Sequence, residues 1–498
     1  MCPIPIPVNF DEVWFKIEAP PELLPSIEAA ARGLLPNVRF GEGKVLRVEV
    51  DDTPGRPLYC SVELEGWPAW RVSDDEILSP VYEEFHRTQR VKERVRLGVN
   101  VVLRTAYDLP MSPWGILVGV RPTKLVHNLF DQGFSANHVE YILREVYAVS
   151  PERVELVMNT AKWQRQFFHA SPNQPVGVYI GIPFCPTRCS YCSFASYPIG
   201  THGHLIPKFF EALCWEIEAV GRLFRRLGVA VESIYFGGGT PTTFQGDQLR
   251  RLLDLSRRWF LSEVTSEFTV EAGRPETILE DTCRIMAENG VNRVSVNPQT
   301  MNDATLRRIR RAHTVDDTIK AVERVRRAGI PILNMDIILG LPGEDISHVE
   351  ATLKAISELA PDNLTVHSLA VKRASELRKN LESMSIAQEQ GEAMAQLSAQ
   401  AARELGMEPY YLYRQRYILG DLENIGYARP GTASVYNVQM MEERQTIVAL
   451  GGGGITKLVS PDLSLVRLAN PKCPATYAQQ LKTTMPAKLW QLEQHLAV

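Results

Sequence analysis

The stretch GIPFCPTRCSYCSF, Gly181 to Phe194, decides how the whole chain reads. It carries Cys185, Cys189 and Cys192 in a C-x3-C-x2-C spacing, and three thiolates this close share one metal centre. In a 4Fe–4S cubane held by three cysteines of one loop, the fourth iron has no protein ligand and is open to a small molecule. Zinc is the alternative: it takes four ligands, and His202 or His204 could supply the fourth, but zinc loops rarely open an α/β barrel. The remaining cysteines, Cys2, Cys60, Cys214, Cys283 and Cys473, are scattered singly, form no disulfide framework and read as small buried hydrophobes.

The surroundings of this loop read as a barrel. Strand-like runs occur at Val178 to Ile182, Ser233 to Phe236, Phe268 to Glu271, Arg293 to Val296, Ile332 to Leu339 and Leu364 to Leu369, mostly separated by amphipathic helical stretches. Apolar strands alternating with helices imply a parallel sheet with right-handed crossovers. Six such units are too few for a closed eight-stranded barrel, so the expected fold is α/β, an open partial (β/α)6 barrel. In such sheets ligands bind at the carboxyl ends of the strands. The cysteine loop follows the first strand, and GGGTP (Gly237 to Pro241), Glu271, Asn297-Pro298-Gln299-Thr300 and Asp336 lie at or near the ends of the next four. A charged Asp336 within an apolar strand is costly unless paired or functional.

The flanks set domain limits. Residues 1–170 read as an N-terminal α+β and helical region without a legible role. Its PWGILVGVRPTK, Pro113 to Lys124, reads as a turn, although Arg121 and Lys124 could touch an anion. Residues 176–380 form the core and 381–498 a smaller C-terminal, substrate-covering domain. There PYYLYRQRYILGDLENIGYARPG gathers tyrosines 410, 411, 413, 417 and 427, with 436 just beyond, beside Arg414, Arg416 and Arg429. These suit either a flat, polycarboxylated ligand or a half-buried interface. The run RRIRRAHT, Arg307 to Thr314, reads as a solvated helix face. A formal charge of −4 gives no general attraction to nucleic acid, and no stretch of 18 uncharged apolar residues suggests a membrane span. The expected location is the cytoplasm, which suits an oxygen-sensitive cluster.

On these motifs the chain resembles the oxygen-independent coproporphyrinogen III oxidases (coproporphyrinogen dehydrogenases) of the radical S-adenosylmethionine superfamily, above all the HemZ-type branch. The resemblance runs by motif from about Val178 to Ile455 and extends through PWGILVGVRPTK and YYLYRQRYILGDLENIGYA. It implies Cys185, Cys189 and Cys192 as cluster ligands. It implies Tyr179, Tyr191, Gly238, Gly239, Thr240, Glu271, Gln299, Arg311, Asp336, Ala370 and Ile455 as contacts to S-adenosylmethionine, of which the family binds two molecules, one on the cluster. It also implies an external electron donor such as flavodoxin or ferredoxin, and coproporphyrinogen III as substrate, converted to protoporphyrinogen IX in heme biosynthesis. Two positions depart from the best-established oxidases. Phe194 stands where they have a fourth cysteine, as in the related heme chaperones, which bind heme without oxidising coproporphyrinogen, and Gly181 stands where they have histidine.

Overall fold

The computed structural model describes residues 13–35, 37–53, 56–74, 84–109, 111–117, 121–169, 174–192, 194, 196–369, 385–415 and 422–497. The chain divides into two compact units, Met1–Asn159 and Thr160–Val498.

The first unit is built on a five-stranded sheet of β1 (Val13–Glu18), β2 (Val38–Phe40), β3 (Lys44–Asp51), β4 (Leu58–Leu64) and β5 (Trp70–Asp74), in the order β2-β1-β3-β4-β5. β1 runs parallel to both neighbours and the rest pair antiparallel. Alternation along the strands buries one face, and Phe15, Leu46 and Val62 meet Ile27 of helix Leu24–Leu34 and Val95 and Leu103 of helix Glu84–Ala106 in one core.

The second unit holds the site. Its strands are β6 (Val176–Ile182), β7 (Phe184–Cys185), β8 (Tyr197–Pro198), β9 (Val231–Gly238), β10 (Glu267–Val270), β11 (Arg293–Ser295), β12 (Ile332–Leu339), β13 (Asn363–Ser368), β14 (Glu408–Tyr413), β15 (Asn424–Ala428), β16 (Ile447–Gly451), β17 (Ile455–Val459) and β18 (Leu465–Ala469). The main sheet has the order β14-β15-β13-β12-β11-β10-β9-β6-β16-β17-β18, and β7 and β8 pair separately. From β6 through β9 to β13 the strands are parallel and in chain order, the six-strand succession expected from the apolar runs. Helices Ile206–Leu227, Gly246–Phe260, Glu280–Glu288, Val315–Arg327 and Ile346–Leu359 make the crossovers. Strand β16 adds a seventh parallel member beside β6, while β14, β15, β17 and β18 attach antiparallel at the two edges. The segment after residue 385 therefore contributes strands to the same sheet. Among the described residues the sheet does not close, and no helix is long and apolar enough to cross a membrane.

Candidate functional site

The cysteine loop leaves β6 at Ile182 and is clamped at its base. Strand β7 pairs with β8, and Tyr197 N–H donates to Pro183 O at 2.9 Å. From the end of β9, Gly239 N–H donates to Ile182 O and Thr240 N–H to Phe184 O, both at 2.7 Å. A Cβ on Gly239 would lie 2.4 Å from Phe184 O and 2.9 Å from Ile182 O, so the glycine turn is glycine because it presses on the backbone of the loop. Gly181 has a similar cause: Gly452 N–H donates to its carbonyl at 3.0 Å, and a Cβ there would stand 2.8 Å from Gly452 O.

Cys185 and Cys189 are buried and Cys192 half-buried. Burial raises the Cys192 thiol and the charges of Cys189 and Cys185 add to this, against the Phe194 N–H and the Arg188 guanidinium. Thr240 Oγ1 donates to Cys185 Sγ at 3.5 Å. Buried Arg274 donates to Cys189 Sγ at 3.3 Å and to Thr187 Oγ1 at 2.7 Å, and is paired with Glu276. Burial would raise the Glu276 carboxyl, but His313 and Arg274 hold it down to about 2. A second buried guanidinium, Arg311, lies 4.0 Å from Cys189 Sγ and donates to Gly273 O at 2.9 Å and to Asn297 O. Three thiols under two guanidiniums suit a thiolate-ligated, anionic group. A cubane takes each thiolate on a different iron.

Above the loop, the carboxyl ends of the strands form a polar rim. Glu271 N–H donates to Phe236 O at 2.9 Å, which turns the side chain toward β9, where Tyr235 OH donates to its Oε1 at 2.5 Å. Burial raises the Glu271 carboxyl to about 7; the Tyr235 hydrogen bond opposes this and the Asp336 charge adds to it. Tyr179, Tyr235 and Tyr436 stack, with centroids 4.0 Å apart for Tyr235 and Tyr436 and 6.0 Å for Tyr179 and Tyr436. Asp336 is satisfied within the protein: Asn334 Nδ2 donates to Oδ1 and Asn297 Nδ2 to Oδ2, each at 2.8 Å, and His367 Nε2 lies 3.6 Å from Oδ2. His367 Nδ1 in turn faces Tyr413 OH at 3.3 Å. Two acceptors are left over, Asn297 Oδ1 and Gln299 Oε1, both buried and unpartnered. Gln299 adopts φ +70° and is bridged to β12 by Asp336 O and Ile338 N–H. Orphaned buried acceptors beside carboxylates fit the ammonium and hydroxyl donors of S-adenosylmethionine.

Of the residues singled out in the sequence, Cys185, Cys189, Cys192, Tyr191, Thr240 and Arg311 lie around the loop, with Gly238 and Gly239 pressed on its backbone. Tyr179, Glu271, Gln299 and Asp336 lie on the rim. Tyr191 packs against Leu306, Ile309 and Leu341. Ile455 opens β17, two strands from β6, and is 42% exposed. Ala370 lies outside the described residues, as do Arg416 and Tyr417. Tyr410, Tyr411, Tyr427 and Tyr436 are buried, and Arg429 Nε is spent on Leu405 O, so of the two readings of the tyrosine cluster the packed one holds for these residues. Tyr413 alone of the described β14 and β15 tyrosines is half-buried and tied to the rim. Sequence reasoning missed Arg274, Tyr235 and His367. Arg274 had a signal, since AGRP follows Glu271 at the end of β10.

The radical SAM superfamily model matches residues 179–356. The chain is 37% identical over 427 residues to the oxygen-independent coproporphyrinogen-III oxidase-like protein HemZ of Bacillus subtilis, covering 84% of each chain. It is 34% identical over 195 residues to the heme chaperone HemW of the same organism, spanning 39% of this chain and 50% of that one. With the oxygen-independent coproporphyrinogen III oxidase of Escherichia coli it shares 31% over 199 residues, 40% of this chain and 43% of that one. Among solved structures, coproporphyrinogen III oxidase (HemN) from E. coli, a radical SAM enzyme, superposes with a TM-score of 0.51 at 23% identity, covering 65% of this chain and 72% of that one, which establishes the fold. Its cofactors are those of the superfamily, a 4Fe–4S cluster and S-adenosylmethionine. A likeness of this extent places the chain in the HemZ-type family of radical SAM, oxygen-independent coproporphyrinogen-III oxidase-like proteins.

Proposed function

We propose that this chain catalyses the oxygen-independent oxidative decarboxylation of coproporphyrinogen III to protoporphyrinogen IX in the cytoplasm. The observation that carries the reading is that the three-thiol loop and an acceptor-rich, tyrosine-walled rim share one end of a parallel sheet. Cys185, Cys189 and Cys192 would hold the cluster. Tyr179, Glu271, Gln299, Arg311 and Asp336 would hold S-adenosylmethionine, two molecules in all. When bound, these groups would supply a radical that abstracts hydrogen from a substrate propionate; loss of carbon dioxide and transfer of one electron to an external acceptor then leave a vinyl group. The chain's own part is to orient and to exclude water. The tyrosine stack walls the rim, Arg274 and Arg311 offset negative charge at Cys189, and residues 381–498 cover the substrate. An external protein such as flavodoxin or ferredoxin supplies electrons.

A second reading, heme chaperone, has support in the 34% likeness to HemW and in Phe194, which stands where the oxidases have a fourth cysteine. The two separate cleanly under anaerobic conditions. With coproporphyrinogen III, reductant and S-adenosylmethionine, the oxidase reading expects 5'-deoxyadenosine to rise with substrate and divinyl product to appear by chromatography. Stoichiometric heme binding with no decarboxylation over many hours would reverse the order.

Asp336→Asn tests the rim. The introduced carboxamide would face the amides of Asn297 and Asn334, but Asn297 can turn its unpartnered Oδ1 toward the new NH2, so the fold and the iron content should survive. S-adenosylmethionine affinity should fall by about 1–3 kcal/mol for a lost charge-assisted hydrogen bond. Unchanged affinity by calorimetry would leave Asp336 a purely structural residue.

A further inference from the structure

We propose that Arg274 raises the reduction potential of the cluster by donating to Cys189, and that Glu276 is the positioning residue that aims Arg274 and limits the rise. The inference rests on the loop carrying a cluster, and it goes on to name what governs the uptake of an electron there. The backbone fixes Arg274 first. Just beyond β10 the chain turns sharply: Arg274 N–H donates to Ala272 O at 2.6 Å, and Arg274 O accepts from Thr277 N–H and from Thr277 Oγ1, both at 2.8 Å. This turn is tied to the glycine turn after β9, since Thr277 Oγ1 lies 2.6 Å from Thr242 Oγ1 and Thr277 O accepts from Gln245 Nε2 at 3.1 Å. The buried guanidinium then spans the loop and one carboxylate. Nη1 donates to Cys189 Sγ and to Thr187 O, each at 3.3 Å, and Nη2 to Thr187 Oγ1 at 2.7 Å. Nε and Nη2 face Glu276 Oε1 at 2.9 and 2.7 Å. With both edges of the fork filled, the cation is held on the sulfur.

The far side of Glu276 meets His313, whose Nδ1 lies 3.5 Å from Oε2 and whose two ring nitrogens are buried without a hydrogen-bond partner. Burial opposes the charge of Glu276, but His313 and Arg274 hold its carboxyl down to about 2, so it stays ionised. Burial also lowers His313 from its ordinary value, so near neutral pH it is uncharged beside the Arg274–Glu276 pair. Arg311 stands farther off, at 4.0 Å from Cys189 Sγ, with Nη2 on the Gly273 and Asn297 carbonyls. Reduction adds one negative charge to a group that thiolates already make anionic. A buried cationic donor on a ligand sulfur favours that reduced form, and hydrogen bonds to the sulfurs are among the terms that set such potentials. Glu276 acts with the opposite sign, because its negative charge offsets the cation it aims. Removing one or the other should therefore move the potential in opposite directions, whereas a role in folding alone gives no such reversal.

The test uses the full chain, reconstituted anaerobically and titrated with dithionite and redox mediators, without S-adenosylmethionine or porphyrin. Electron paramagnetic resonance reads the reduced cluster, and iron is counted beside it. At the potential that half-reduces wild type, Arg274→Met should show a reduced-to-oxidised ratio about tenfold lower, a downward shift of about 59 mV for a one-electron couple. Glu276→Gln keeps an acceptor for Arg274 Nε and removes the charge, so its ratio should rise, by about threefold or more. Arg274→Lys keeps the charge without the fork and should fall between wild type and Arg274→Met. Arg222→Met is the control: it removes a guanidinium whose side chain is 70% exposed and paired with Glu218, and it should titrate as wild type. The proposal is overturned if Arg274→Met and Glu276→Gln shift in the same direction, or if neither moves further than Arg222→Met. Should Arg274→Met fail to take up iron, Glu276→Gln decides alone, because Glu276 makes no hydrogen bond to the loop among the described residues, and a ratio that falls or stays level overturns the proposal. Wild type without iron would overturn the cluster reading and this proposal with it. The oxidase assay can fail with both intact, because no substrate enters the titration.

Discussion

Cys189→Ala is expected to abolish the cluster and leave the fold. Anaerobically purified wild type should be brown with about four irons per chain, and the variant should fall to near none, because a cubane on three thiolates has no spare protein ligand. The neighbours of Cys189 explain why the chain itself should survive. Arg274 keeps Thr187 and Glu276, and Arg311 keeps the Gly273 and Asn297 carbonyls, so neither buried guanidinium is orphaned by losing the sulfur. Melting of the variant should therefore match that of iron-free wild type and lie below that of the loaded protein, since a group bound only to the folded state stabilises by linkage. S-adenosylmethionine cleavage should vanish with the iron. A colourless wild type carrying zinc would sink the assignment, as would a Cys189→Ala protein that keeps its iron.

What the sequence disclosed follows from how each part is buried. Strands β6 and β9 to β13 are covered on both faces and so read as near-continuous apolar runs, with glycine and polar breaks at their carboxyl ends. The added parallel strand β16 was hidden because Ile447–Gly451 runs straight into three further glycines, and the eye goes to the glycines. Strands β14 and β15 were hidden because PYYLY carries three tyrosines and NIGYA one, and sheets favour tyrosine for packing as readily as ligand sites do for stacking. The cysteine spacing is local and needed no tertiary knowledge. The fate of Asp336 did: Asn334 lies two residues before it on β12, but its other partners, Asn297 and His367, come from distant parts of the chain that no spacing announces. An apolar strand with one carboxylate says that a partner exists; it does not say whether that partner is the protein or a ligand.

Gly239→Ala separates those two possibilities for the glycine turn. If GGGTP is glycine-rich to let a ligand approach, an alanine at 239 should spare the cluster and weaken only S-adenosylmethionine. The contacts argue for the loop. All three atoms nearest the added Cβ belong to backbone, Phe184 O at 2.4 Å, Ile182 O at 2.9 Å and Phe184 C at 3.0 Å, and backbone cannot swing away as a side chain can. The same two carbonyls accept the 2.7 Å hydrogen bonds from Gly239 and Thr240, so relief of the clash must stretch these bonds or displace β7, and Cys185 with it. Overpacking of this kind costs about 1–3 kcal/mol, occasionally more. Because Cys185 is one of the three ligands, the loss should appear first in iron, which we expect to fall by more than half after reconstitution while circular dichroism stays near wild type. Gly203→Ala is the matched control, since its Cβ meets nothing within 4 Å, and it should load iron normally. Full iron in Gly239→Ala with S-adenosylmethionine binding lost would return the turn to the ligand. Full iron with binding intact would mean that the loop tolerates the displacement and that its geometry is set elsewhere.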